Sequence, residues 1–518
     1  MRQKVQEYKY LFLITTMIGI ICHGFMLFNK FSLNDDNDCL FRLGITFAQG
    51  RWALGLIDTL AQKLGTYNFS LPVFNGVILI LCISISACVI CEIFEIKDKI
   101  SRVLIGGILI VFPEIASTLG FMFQAWAWGM ALLLVVLADY LILKTNTLKS
   151  ILAGILICIS LGLYQGFLAT GICICNLYFC VRHSGTLKEE LLSLVKTILF
   201  FVLGVIEYLL ANSLFLKITD TKMTSYQNMD SWGIVSVSEY LDRIKRAAVV
   251  FVKGDIAYNE LGRKLYPVCI IVLGFITLVW LIQLYKHFSK KIYIAVWKTL
   301  IIMCLPFAFS FHYIIGGATI HPEMLYSSSF ILISILVFGG KTRNALGDSS
   351  EFEKKITGAK VRSSGHIISD ISRYISYILV IVMFTVFFRY DNILYFKAST
   401  EHEEDVAFLN RLVVRIQSIE GYNDDYPVLL YNFEQINDNS LFRHPQLMSY
   451  DYLPYKNQIN NMDVYWYLNN WAGYGPQMAS ESDSEKIVDS IEFAEMSVYP
   501  DDGSIRIIDG IIVVKCTE

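Results

Sequence analysis

Charge is scarce in this chain. Only 17% of its 518 residues are Asp, Glu, Lys or Arg, against about 25% in an ordinary soluble domain, so most of it is solvated by lipid rather than water. Also missing are a P-loop, a Rossmann glycine fingerprint, a nucleophile elbow and a zinc-peptidase helix, which leaves nucleotide-driven chemistry unsupported. No basic cluster interleaved with aromatic residues marks a nucleic-acid partner. Cysteines outside apolar runs are few: ten of the 12 (Cys22, Cys82, Cys88, Cys91, Cys158, Cys173, Cys175, Cys180, Cys269 and Cys304) sit inside them, where they behave as small hydrophobes. Cys173 and Cys175 are two apart and do not share a helix face as paired metal ligands would. The chain also lacks internal repeats, and no small-residue cleavage site follows Met1-Arg-Gln-Lys4, so a retained first helix is expected.

What is abundant is apolar sequence: 55% of residues are hydrophobic and the mean hydropathy is +0.50. About eleven spans approach the roughly 20 residues that cross a bilayer. They fall near 9–28, 71–92, 103–121, 125–143, 149–163, 167–181, 197–216, 266–285, 298–315, 325–340 and 370–388. Between the fifth and sixth, Gly162-Leu-Tyr-Gln-Gly166 predicts a tight hairpin, because its glycines permit a turn and its Tyr and Gln suit an interface. Lys and Arg gather in alternate loops, around 2–9, 97–102, 144–149, 182–196, 286–298 and 341–362, and are absent from 112–124, 164–166 and 312–325. The positive-inside rule makes the first set cytoplasmic. The N-terminus is then expected inside, and the C-terminus and the loops 29–70 and 217–265 outside. Within those loops, Ala53–Leu64 reads as an interfacial helix and Val237–Val252 as an amphipathic one.

Residues 1–390 are expected to form the transmembrane domain, and 391–518 a small extracytoplasmic α/β domain. In the latter, Val406, Leu409, Leu412, Val413 and Ile416 fall at helical spacing, while Pro427–Tyr431 and Ile505–Val514 read as strands. The segment 447–474 is rich in aromatics, including Tyr450, Tyr452, Tyr455, Tyr465, Trp466, Tyr467, Trp471 and Tyr474. These suit stacking on sugar rings, an interfacial belt or the domain's own core.

Asp35-Asp36 stands just past the first span, where an acidic pair is tolerated only if water, a ligand or a cation receives it. A solvated loop capping the next helix is the plain alternative. Two carboxylates this close repel when both are ionised, which raises one pKa and makes a usable base. Asp38 adds charge, and Arg42 and Arg51 balance it. Arg51 offers forked donors to a phosphate oxygen. Pro113-Glu114 ends another span, with no Lys or Arg nearby to pair it, before a small-residue stretch read as a turn. In the third group, His312, His321 and Glu323 are spaced His-x8-His-x-Glu, which fits no usual metal pattern, so hydrogen bonding to a phosphate or sugar stands against simple interfacial packing. Lys253, Arg263 and Lys264 are further phosphate candidates, or else a snorkelling face.

Taken in order, Asn34-Asp-Asp36, Gly50-Arg-Trp52, Leu71-Pro-Val-Phe-Asn-Gly76, Phe112-Pro-Glu-Ile-Ala-Ser-Thr-Leu-Gly-Phe-Met-Phe123, Leu161-Gly-Leu-Tyr-Gln-Gly166 and Val498-Tyr-Pro-Asp-Asp-Gly-Ser-Ile505 through Val513-Val-Lys515 resemble the Gtr-type, serotype-converting bacterial glucosyltransferases. The likeness spans most of the chain. It implies a mainly α, polytopic, GT-C-like membrane enzyme in a bacterial inner membrane. Its donor would be a polyprenyl-phosphate sugar, undecaprenyl-phosphate glucose being the first choice, and its acceptor a hydroxyl on a surface glycan. A base in the first outer loop maps onto Asp35 or Asp36, with Asp36 slightly preferred, and Glu114 joins them as a catalytic candidate. Arg51, Lys253, Arg263, Lys264 and His321 would hold the donor phosphate. Asp38, Tyr164, Gln165, His312 and Glu323 would line the substrate. Membrane lipids are the other partners. No cofactor is expected and no residue is assigned to metal, though the sequence leaves divalent metal dependence open. A lipid-linked glycan ligase, a transferase of another sugar and a transporter are the alternatives. Transporters place charge near the bilayer midplane, whereas here it gathers at the outer edge.

Overall fold

The computed structural model describes residues 2–30, 33–182, 186–225, 235–254, 260–316, 320–341, 364–433, 446–447, 450 and 463–517. Most of them are helical. The membrane part runs through α1 (Arg2–Phe28), the short α2 (Trp52–Lys63), α3 (Pro72–Ile93), α4 (Lys99–Val111), α5 (Pro113–Gly120), α6 (Met122–Lys144), α7 (Thr147–Leu163), α8 (Leu168–Val181) and α9 (Leu187–Ile218). It continues through α10 (Val237–Lys253), α11 (Glu260–His287), α12 (Ile292–Met303), α13 (Leu305–Phe309), α14 (Phe311–Ile315) and α15 (330–341), and then enters α16 (Ser364–Gln417). Among the described residues nine helices are long and apolar enough to cross a membrane, and α7 and α8 are shorter apolar helices. That matches the expected set, hairpin included: Tyr164 is extended, and a single 3-10 turn at Gln165–Phe167 separates α7 from α8.

Three spans are less regular than their hydropathy suggests. Pro113 splits the third apolar stretch into α4 and α5, with Phe112 extended between them. The residues after Glu114, expected as a turn, are α5 itself, because Pro is well placed at the first helical position. Pro113 also lacks an N–H, so the carbonyl of Leu109 has no helical donor. The Tyr326 hydroxyl donates to it instead, at 2.7 Å. The expected span 298–315 is broken into α12, α13 and α14. The last span does not stop at 388: α16, 54 residues long in all, continues to Gln417 in the tail. The membrane span and the predicted tail helix are therefore one element.

The tail packs this helix, through Phe408, Leu409, Leu412, Val413 and Ile416, on a three-stranded sheet and on α17 (Asp463–Trp471). The strands β1 (Val428–Tyr431), β2 (Ile505–Ile508) and β3 (Ile511–Lys515) take the order β1-β3-β2, β1 pairing parallel to β3. The single strand expected at 505–514 is thus a hairpin. Asp509 and Gly510 both have positive φ, 48° and 77°, as a tight two-residue turn demands. Two short helices, α18 (Glu481–Val488) and α19 (Ile491–Ala494), cover the sheet's other face with Ala479 and Met496. Of the tail aromatics, Tyr465, Tyr467, Trp471 and Tyr474 pack in or against this core, while Trp466 is exposed. Tyr452 and Tyr455 lie outside the described residues.

Candidate active site

The loop that follows α1 turns through one 3-10 helix, Asn34–Asn37, whose tight pitch sends its two aspartates in different directions. Asp36 points inward and is 1% exposed. Lys30 Nζ lies 2.7 Å from its Oδ2, and the Ser70 hydroxyl donates to its Oδ1. Its charge and lone pairs are therefore occupied. Asp35 stays accessible to solvent, with part of its hydration displaced by neighbouring protein. That partial burial raises its pKa above the ordinary 3.8, Asp38 adds to the rise, and Arg51 opposes it. Asp38 itself is bound by Arg42 at 2.5 Å.

Arg51 is positioned by an unusual backbone. Gly50, in the left-handed region at φ 71°, ends a 3-10 turn and hands the chain to α2. The Tyr208 hydroxyl donates to its carbonyl at 3.0 Å, and Gln165 Nε2 donates to the carbonyl of Gln49 at 2.8 Å. A Cβ at position 50 would stand 2.5 Å from Tyr208 Oη. Gly50→Ala is therefore expected to lose about 1–2 kcal/mol to the left-handed backbone alone, and more to the clash. Thermal unfolding together with transfer activity checks this: both fall, because the displaced turn carries Arg51.

The guanidinium of Arg51 donates from Nη1 to Gln124 Oε1 at 2.7 Å. It lies 6.0 Å from the Trp128 ring centre and 5.5 Å from that of Tyr164, and these two rings stack at 4.2 Å. Gln124 is fixed in turn by Trp128 Nε1 at 3.1 Å and by donating to the carbonyl of Leu43. Arg51 Nε, in contrast, is buried with no hydrogen-bond partner among the described residues. Burial lowers the Arg51 pKa, and Tyr164, Glu323 and Asp35 counter that, yet an arginine stays cationic at any working pH. The site thus holds a fixed cation with one donor uncommitted.

From the other side come α5 and the 3-10 helix Pro322–Ser329, which pack together. Glu114 and Glu323 are both buried, and the Ser117 hydroxyl, one turn after Glu114, lies 3.4 Å from Glu323 Oε2. The charge of Glu323 is felt at Arg51, as is that of Asp35. Asp35, Arg51, Tyr164, Gln165, Glu114 and Glu323 therefore converge at one end of the bundle, although nearly 300 residues separate the first from the last. His312 is buried beside Ser327, 3.5 Å from its hydroxyl, and His321 immediately precedes Pro322. Lys253 closes α10 and Arg263 and Lys264 open α11; all three are exposed. These helices pack on α13, α14 and α16.

Several members of this end carry no signal in the sequence. Lys30 and Ser70 are ordinary loop residues until Asp36 joins them. Gln124 and Trp128 become legible only as an i, i+4 pair on α6. The tail also reaches the site: Asn470 Nδ2 donates to the Asn37 carbonyl at 2.9 Å, and Trp471 Nε1 to Asn37 Oδ1 at 3.3 Å. Helix α17 therefore rests on the turn that presents Asp35. Trp471→Phe keeps an aromatic ring but removes that donor, and the lost hydrogen bond alone is worth about 1 kcal/mol. Faster amide exchange over residues 33–40 is the expected result.

One buried group elsewhere resembles a metal site by distance: the ligand atoms of Cys22, His23 and Asp391 all lie within 4.8 Å of one another. The ring nitrogens of His23 are already committed, however. Nε2 donates to the Ile110 carbonyl at 2.7 Å, a carbonyl exposed by the break at Phe112, which leaves Nδ1 to accept from the Tyr395 hydroxyl at 2.6 Å. An ion there would find a thiol and a carboxylate but no free imidazole.

The family model described as "Glucosyl transferase GtrII" matches residues 24–334. That range holds the whole cluster, from Asp35 through Arg51 and Glu114 to Glu323, and more than half of the chain. The chain belongs to the GtrII glucosyltransferase family. No curated protein and no solved structure shows significant similarity to it. A GtrII glucosyltransferase is a membrane enzyme that moves glucose, as its apolar helices and this match together establish. Residues 335–518, including the sheet of the tail, lie beyond the matched part.

Proposed function

We propose that this GtrII protein transfers glucose from a polyprenyl-phosphate donor to a hydroxyl of a surface glycan, at the outer face of a bacterial inner membrane, with Asp35 as general base. The observation that carries the reading is the division of labour between neighbouring aspartates. Asp36 is engaged by the Lys30 ammonium and the Ser70 hydroxyl, whereas Asp35 is accessible, with a raised pKa, and coupled to the half-buried Arg51.

The chemistry is a single displacement. The acceptor oxygen attacks the anomeric carbon while Asp35 takes its proton, which a positioned base accelerates by about 10²–10⁴-fold. The bond from that carbon to the phosphate oxygen breaks, and the phosphate leaves with the electron pair and an added negative charge. Arg51 is the cation placed to receive that charge, and its uncommitted Nε supplies a donor for a phosphate oxygen. The stacked faces of Trp128 and Tyr164 restrict Arg51 to one orientation. One displacement inverts the anomeric centre. Glu114 and Glu323 are the carboxylates that remain for the sugar hydroxyls.

Membranes containing the wild-type protein, given radiolabelled polyprenyl-phosphate glucose and a glycan acceptor, are expected to move label to the glycan with inverted configuration. A wild-type protein that moves glucose only from a nucleotide sugar would remove the lipid donor from this reading.

A further inference from the structure

At the end of the bundle opposite Asp35, a cavity of about 250 Å³ opens between the end of α3, the start of α4, the end of α15 and α16. Its distance from the site follows from α3, whose 22 residues rise about 33 Å. Lys97, Lys341 and Arg373 line it together with Glu95, Asp98 and Tyr377. The two acids are already engaged. Glu95 is held by Lys144 at 2.6 Å. Asp98 caps α4 through the Ser101 amide at 2.8 Å and accepts from the Tyr377 hydroxyl at 2.6 Å. The cations are less engaged. Arg373 reaches Asp370 only at 3.7 Å, and its Nε is buried with no hydrogen-bond partner among the described residues. Lys97 and Lys341 make no hydrogen bond or ion pair among the described residues, and feel Glu95 only through its field.

Three cations facing one small cavity, one of them with a buried and unused donor, call for an anion with several acceptor oxygens. A buried donor left unpaired is costly, and a phosphate oxygen removes that cost. The cavity's position identifies the carrier. It lies where apolar helices end, and Ile371, Tyr374 and Ile378, spaced 3 and 4 apart on α16, form an exposed apolar stripe beside it. An acyl chain can run along that stripe while the headgroup phosphate sits in the cavity. Basic cavities between helix ends on the cytoplasmic side are suited to anionic headgroups, and the loops joining these helices are rich in lysine.

We infer that the cavity lined by Lys97, Lys341 and Arg373 is a binding site for the phosphate of an anionic glycerophospholipid, distinct from the glucosyl-transfer site. The inference does not depend on the donor or on the base proposed above.

Native mass spectrometry of the full chain tests it, with phosphatidylglycerol and phosphatidylcholine of matched acyl chains as probes. The wild type is expected to retain phosphatidylglycerol about tenfold better, a preference of about 1.4 kcal/mol. The double variant Lys341→Gln/Arg373→Gln is expected to lose the preference. Lys97→Gln, at an exposed residue, reduces it without risk to folding, and Lys149→Gln, at the same end but outside the cavity, leaves it intact. Equal retention of the two lipids by the wild type overturns the inference, as does a preference that survives both cavity variants. Displacement of phosphatidylglycerol by micromolar inorganic phosphate would assign the cavity to free phosphate and overturn the lipid assignment.

Discussion

Asp35→Asn is expected to lower kcat about 10²–10⁴-fold with little change in KM for the donor, because a carboxamide cannot take a proton from the acceptor. The substitution is nearly isosteric, and Asp35 carries no structural ion pair within 4.0 Å among the described residues, so the folded protein should be retained. Asp36→Asn behaves differently. It leaves Lys30 half-buried beside a neutral amide, and breaking one side of such a pair destabilises the fold. The loss should therefore appear in thermal stability first and in kcat second. Rate measurements at matched folded concentrations separate the two. Equal losses of kcat in both variants, with stability unchanged, would show that the aspartates act as a unit.

Arg51→Gln is expected to cost about 10²–10³-fold in kcat, the scale set by removing a pre-positioned donor from developing negative charge. Arg51→Lys should rescue only part of this. The ammonium keeps the charge but loses the planar fork that spans Gln124 and the Trp128–Tyr164 stack. The split between kcat and KM is the informative readout. A residue serving only to bind the donor would raise KM and leave kcat alone. Packing of the half-buried Arg51 against two aromatic rings makes its loss a packing defect too, so the lysine variant, which fills much of the same space, is the better folded comparison.

Hydropathy alone located the spans, because crossing a bilayer imposes a length and a composition on each helix. The hairpin at Tyr164-Gln165 was legible for a local reason, its two glycines. What the sequence could not convey were features set by distant neighbours. Nothing near Pro113 says that Tyr326 will supply the hydrogen bond that Pro113 forfeits. The continuity of α16 was hidden because its stretch 389–405 loses apolar character, which a hydropathy reading takes as an end and a rigid helix does not. The Asp509-Gly510 turn was missed by reading 505–514 as one apolar run, although the dipeptide is itself a hairpin signal. Within the site, Asp35, Arg51 and Glu323 could be singled out as chemical types, since charge at the end of an apolar span is rare. Between the two aspartates the sequence leans slightly to Asp36, because nothing local shows that Lys30, 6 residues before it, and Ser70, 34 residues after it, close on its carboxylate.

The sharpest test of Asp35 as the base is the pH dependence of the single-turnover rate in the wild type, Asp35→Asn and Asp36→Asn. A base works only when ionised, so the wild-type rate should climb as pH rises through the Asp35 pKa, at a midpoint above the ordinary carboxylate value of 3.8. In Asp36→Asn this acid limb should persist on a less stable protein, and in Asp35→Asn it should vanish from a rate that is low and flat. An acid limb that survives in Asp35→Asn and disappears in Asp36→Asn would contradict the account.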